Sequence, residues 1–167
     1  MRVERTATGL TIELEGEPET ERLGRALAAV VGPGTVLGLI GPLGAGKTRL
    51  ARAVAEALGV DPGAIASPTF VLIHEYEGDL PVYHFDTYRL AGPDDFDALG
   101  AAEYWDAGGV CLVEWADRVA DRLPSDAWTI RMEPAGPTRR RIDLRLPAAG
   151  ADAGDRLARL LADLPPR

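Results

Sequence analysis

A chain of 167 residues, 46% hydrophobic and 26% charged, suits one globular unit with a core of its own. Its formal net charge of -8 argues against a protein that grips nucleic acid through its general field, because phosphate backbones are bound by an excess of Lys and Arg. No stretch approaches the roughly 20 apolar residues of a membrane span, the start Met1-Arg2-Val3-Glu4-Arg5 has no apolar signal region behind it, and a cytoplasmic protein is expected. Cys111 is the single cysteine; it lies in an apolar run, can form no internal disulfide, and reads as a small core residue.

In chain order, residues 1–16 alternate loosely, with Leu10, Ile12 and Leu14 on one face and Thr11, Glu13 and Glu15 on the other, which reads as a half-buried strand. A helix is expected from about Pro18-Glu19-Thr20-Glu21, whose acidic first turn suits the helix dipole; Leu23, Leu27 and Val30/Val31 follow at helical spacing. It stops at the breaker cluster Gly32-Pro33-Gly34. Residues 35–40 are short, apolar and rich in strand formers, and residues 49–58 read as helix. Between them Gly41-Pro42-Leu43-Gly44-Ala45-Gly46-Lys47-Thr48 fits the P-loop pattern G-x-x-x-x-G-K-[ST] at every fixed position, in the strand–loop–helix context the pattern requires.

The chemistry of that stretch follows from its geometry. Gly41, Gly44 and Gly46 admit backbone conformations closed to residues with side chains, so successive N–H groups can converge on phosphate oxygens. The N-terminus of the next helix adds its N–H groups and dipole. Lys47 is expected to reach the β- and γ-phosphates, and the Thr48 hydroxyl to sit on Mg²⁺. Of the 18 basic residues only Lys47 is Lys, so a chain that otherwise uses Arg keeps a compact ammonium where a phosphate cradle wants one.

Past a turn at Gly59-Val60-Asp61-Pro62-Gly63, the loop Ser67-Pro68-Thr69-Phe70 enters a strand over residues 71–76. Thr69 can sense a γ-phosphate or Mg²⁺ as switch loops do, or Ser-Pro-Thr can simply shape a turn. The strand Val82-Tyr83-His84-Phe85-Asp86 ends in a carboxylate, where ligands of open α/β sheets gather. Asp86 is placed to orient an attacking water or act on Mg²⁺, or else to cap a turn or pair with Arg89; His84 reads as a packed strand histidine more readily than as a catalyst, since nothing nearby marks it as a base. Residues 93–99 form a short helix, and Glu103-Tyr104-Trp105 belongs to a second short segment.

Val110-Cys111-Leu112-Val113-Glu114-Trp115 reads as a strand covered on both faces with an acid at its end, the Walker B arrangement that delivers a carboxylate to the nucleotide's Mg²⁺. The alternative for Glu114 is a carboxylate facing solvent, and Trp115 is either core or a wall of the site. Residues 127–132 and 140–146 read as two strands around Pro134-Ala135-Gly136-Pro137. The basic run Thr138-Arg139-Arg140-Arg141 either marks a solvated sheet edge or touches adenine, phosphates or a partner. A closing helix covers residues 151–164. The whole implies an α/β, P-loop NTPase-like fold, a central mixed and mostly parallel sheet flanked by helices, in a single P-loop domain over residues 1–167.

The series formed by the P-loop, Ser67-Pro68-Thr69-Phe70, His84-Phe85-Asp86-Thr87-Tyr88-Arg89-Leu90 and Leu112-Val113-Glu114-Trp115 resembles the TsaE (YjeE) family, bacterial ATPases of the tRNA threonylcarbamoyladenosine modification system. The resemblance implies that this single domain is an ATPase domain, which binds ATP and Mg²⁺ and hydrolyses ATP weakly when alone. It further implies docking on TsaD and its partner TsaB, contact with tRNA only through that complex, and support of modification at the adenosine beside the anticodon; no DNA or membrane partner is expected. Carried over, Leu43, Gly44, Ala45, Gly46, Lys47 and Thr48 hold the phosphates, Thr48 and Glu114 serve Mg²⁺, and Asp86 is needed for hydrolysis. Residues 67–70, with Thr69, act as a switch-like loop, and Trp115 accompanies the acid. Pro42 stands where the family often has an acid, Gly136 is followed by Pro137 where the family commonly has a Gly-Arg pair in the late hairpin, and the segment from Glu17 to Thr20 is the expected adenine wall. A small-molecule kinase and a nucleotide-controlled binding module use the same cradle and are the competing functions.

Overall fold

The computed structural model describes residues 1–65 and 72–163. The switch-like loop, Thr69 and the start of the strand expected at Val71 therefore lie outside the described residues, as does Leu164 at the end of the closing helix. Eight strands form one sheet in the order β1-β2-β8-β7-β3-β6-β5-β4. They are β1 (Arg2–Thr6), β2 (Gly9–Glu15), β3 (Val36–Ile40), β4 (Ile73–Tyr76), β5 (Val82–Asp86), β6 (Val110–Glu114), β7 (Trp128–Pro134) and β8 (Arg139–Arg145). At its centre β3 runs parallel to both β6 and β7, and β5 runs parallel to β6. The margins, β1 with β2, β2 with β8, β8 with β7, and β4 with β5, are antiparallel.

Side chains alternate across this sheet and build two cores. Leu37, Leu39, Val110 and Leu112 pack with Leu23 and Leu27 of α1 (Gly16–Ala28), Leu50 and Val54 of α2 (Lys47–Ala57), and Leu157 and Leu161 of α4 (Ala151–Asp163). Val36, Cys111, Val113, Tyr83 and Phe85 point the other way, onto Phe96 of α3 (Pro93–Ala98) and the 3₁₀ segments Ala101–Tyr104 and Ala116–Arg122. The fully buried run in β6 is thus the expected strand covered on both faces. Among the described residues no helix is long and apolar enough to cross a membrane.

Two expectations need correction. Residues 1–16 form a hairpin of two strands and the start of α1, not one strand: β1 is the outer edge, four of its five residues are exposed, and such a strand shows no apolar alternation to read. Its charged side chains, with an Arg2–Glu4 ion pair, guard that edge against further pairing. The basic run, in turn, is not on an edge. β8 lies between β2 and β7, and Arg139 and Arg141 stand opposite Glu15 and Glu13 of β2, so acidic neighbours offset the charge. Smaller shifts concern helix starts: α1 begins at Gly16 and α2 at Lys47.

Candidate functional site

The parallel centre of the sheet brings three chain-distant segments to one end. β3 runs out at Ile40 into the glycine loop, and at the same ends Leu39 is in register with Glu114, and Glu114 with Asp86. Gly41 is there because nothing larger fits: its φ is +152°, and a Cβ would stand 2.3 Å from the Met132 carbonyl of β7. Gly46 turns the chain into α2 at φ +106°, and no side chain caps that helix. Its first-turn N–H groups and positive dipole end accordingly face the loop.

Lys47 is buried, 4% exposed, although its side chain is an ammonium. Its Nζ donates to the carbonyls of Gly41 at 2.7 Å and Pro42 at 2.9 Å and lies 3.6 Å from the centroid of the Trp115 ring. Burial holds its pKa below the usual 10.5, against the opposing pull of Glu114, Asp117 and Asp86. Pro42, which lacks an N–H, serves through its carbonyl, which also accepts from Ala45 N. The other loop ties come from β8, where Arg140 Nε donates to Ala45 O at 3.2 Å and Nη2 reaches Gly44 O at 3.4 Å.

Opposite the loop, Thr48 Oγ1 donates to Glu114 Oε2 at 2.7 Å, and His84 Nε2 lies 2.8 Å from Glu114 Oε1. An ionised carboxylate only accepts, so in a hydrogen bond to ionised Glu114 it is His84 Nε2 that donates. The Thr87 hydroxyl contacts the carbonyls of Glu114 at 2.9 Å and Trp115 at 2.8 Å. Trp115 is the only non-glycine with positive φ among the described residues, at 58°, a conformation that costs about 1–3 kcal/mol and that these contacts hold. Its ring stacks obliquely on Tyr88, with centroids 4.8 Å apart. Asp86, half-buried, accepts from Tyr88 N at 2.9 Å and so caps its own turn.

These groups enclose a cavity of about 740 Å³, within the usual range for small-ligand sites. Leu43 to Thr48, Asp86, Glu114 and Trp115 all border it, and Gly16, Glu17, Thr20, Pro137, Thr138 and Arg140 border it as well. Trp115 is thus a wall of the cavity, half-buried, and Glu114 faces Thr48 inside it, not solvent. The wall expected from Glu17 to Thr20 contributes its two end residues. Sequence reasoning missed three participants. His84 is packed as expected, 2% exposed, but it also contacts Glu114; Thr87 clamps the Glu114–Trp115 turn; Arg140 braces the glycine loop. The only sequence trace of the first was its position two residues before a strand-end acid.

Comparison with known proteins gives one consistent result. The family model described as "Threonylcarbamoyl adenosine biosynthesis protein TsaE" matches residues 14–142. The tRNA threonylcarbamoyladenosine biosynthesis protein TsaE of Bacillus subtilis is 44% identical over 125 residues, 74% of this chain and 77% of that protein. The protein of the same name from Treponema pallidum is 42% identical over 114 residues, 68% and 84% of the two chains. A crystal structure of Bacillus subtilis YdiB superposes with a TM-score of 0.73 at 34% identity, covering 95% of this chain and 97% of that one.

Proposed function

Because the chain belongs to the TsaE family of tRNA threonylcarbamoyladenosine biosynthesis proteins, we propose that it is an ATPase. On this reading it binds ATP with Mg²⁺ and hydrolyses it in support of a TsaB–TsaD complex that modifies the tRNA adenosine beside the anticodon. The observation that carries the reading is the meeting of Thr48 and Glu114 at 2.7 Å, beside an uncapped helix N-terminus and a buried Lys47. Thr48 Oγ1 and the Glu114 carboxylate are hard oxygen donors, and two such groups suit Mg²⁺, which is commonly held by one or two protein ligands together with phosphates and water. When bound, the ion neutralises charge on the phosphate oxygens during transfer.

The chain's own residues do the rest. Leu43 to Thr48 offer backbone N–H groups to the phosphates, and Lys47 turns from the Gly41 and Pro42 carbonyls to the β- and γ-oxygens. Asp86 orients the attacking water, whose oxygen bonds to the γ-phosphorus as the bond to the bridging oxygen breaks, releasing ADP and phosphate. Trp115 and Tyr88 shield one side of the cavity, and Glu17, Thr20 and Thr138 form the end that takes the base. The purified chain is incubated with ATP and Mg²⁺, with and without TsaB and TsaD. Slow hydrolysis that the pair binds to and alters is expected. A pair that neither binds nor changes turnover overturns the partnership, and transfer of the γ-phosphate to a metabolite replaces the ATPase reading with a kinase.

A further inference from the structure

We propose that His84 is a positioning residue for Glu114: it holds one carboxylate oxygen so that the other is presented to Thr48 and the cation. The proposal rests on the ATP–Mg²⁺ reading above. Both side chains are 3% exposed, and His84 Nε2 lies 2.8 Å from Oε1, while Oε2 takes the Thr48 hydroxyl at 2.7 Å. The contact is built into the sheet. His84 and Glu114 lie on the same face of neighbouring parallel strands, with His84 in register with Leu112, two residues before Glu114, so the imidazole leans along the sheet onto the carboxylate. Thr87 fixes the backbone of the same residue through the Glu114 carbonyl. Without the imidazole, the carboxylate would still be anchored at its backbone but could turn about its last bond, and both oxygens would compete for Thr48. Groups that hydrogen-bond a metal-binding carboxylate typically set metal affinity by 10- to 100-fold, and the expected effect of losing His84 is of that order, about tenfold or more.

The test uses the full chain with a non-hydrolysable ATP analogue and Mn²⁺ in place of Mg²⁺, the free Mn²⁺ being read by electron paramagnetic resonance. His84→Gln puts an amide N–H where Nε2 stands, whereas the His84→Asn amide matches only Nδ1 and stops short of Glu114. H84N is expected to raise the half-saturating Mn²⁺ by about 10- to 100-fold, with H84Q close to the unsubstituted chain and analogue affinity without metal unchanged in both. Melting temperatures confirm that the variants fold; should H84N fail to, H84L takes its place. Equal Mn²⁺ affinity in H84N and H84Q overturns the proposal, whether both match the unsubstituted chain or both fall together, and leaves the ATP–Mg²⁺ reading standing. An unsubstituted chain that binds no Mn²⁺ with the analogue removes that reading, and the role of His84 with it.

Discussion

Replacing Lys47 by Met should separate a phosphate ligand from a structural lysine, because the two predict opposite effects on stability and binding. The ammonium is 4% exposed, and burial depresses its pKa even though Glu114, Asp117 and Asp86 pull the other way. The folded state therefore holds this charge at an electrostatic loss, which Met removes. The Gly41 and Pro42 carbonyls lose their donor, but they belong to a loop at an open cavity where water can take its place. Folding stability should move by no more than about 1 kcal/mol, and the melting point by no more than about 4 °C. Binding is another matter. An ammonium about 4 Å from a phosphate charge at an effective dielectric of about 20 is worth about 4 kcal/mol, so K47M should bind ATP about a thousandfold more weakly. Calorimetric titration with ATP and a thermal melt measure the two quantities on one preparation. ATP affinity within about tenfold of the unsubstituted chain, or a melting point lowered by more than about 10 °C, would make Lys47 a structural lysine and not a phosphate ligand.

Asp86→Asn should leave ATP bound but slow hydrolysis about a hundredfold or more; wild-type turnover in a single-turnover assay would remove Asp86 from the mechanism. Thr87→Val deletes a buried hydroxyl that touches two carbonyls and should cost about 1–3 kcal/mol, with a change in Trp fluorescence as the strained turn relaxes; an unchanged denaturation midpoint would count against the clamp. Burial holds the Cys111 thiol protonated up to about 12, against its ordinary 9.0. Above pH 9 the unfolded chain therefore sheds a proton that the folded chain keeps, and stability falls as pH rises, by up to about 1.4 kcal/mol per pH unit. Cys111→Ala should lose that part of the decline, so urea midpoints of the two proteins should converge between pH 9 and 10.5; a constant gap would show that the thiol titrates normally.

Much of this architecture is legible in the sequence where one local pattern suffices. The glycine loop, the strand ending at Asp86 and the all-apolar β6 each carry their signal within a few residues, and their bounds agree with the structure to within a residue or two. What sequence does not show depends on neighbours far along the chain. β1 is hidden because an edge strand with solvent on its sides needs no alternation. The role of Arg140 is hidden because it depends on β8 passing beside a loop 95 residues earlier. His84 is read as a packed strand residue and is one; its second contact needs the register of β5 on β6, which no window of sequence contains. Trp115 is undecided from periodicity because it belongs to no period: it sits in a left-handed turn between β6 and the 3₁₀ segment.

Equilibrium binding of ATP to the unsubstituted chain, with and without Mg²⁺, decides whether this cavity is an ATP–Mg²⁺ site. Saturable binding at a single site that Mg²⁺ tightens is expected, with the Mg²⁺ effect lost in Glu114→Ala. A chain that takes up no ATP at millimolar nucleotide, or one whose ATP binding ignores both Mg²⁺ and the loss of Glu114, has no ATP–Mg²⁺ site in this cavity.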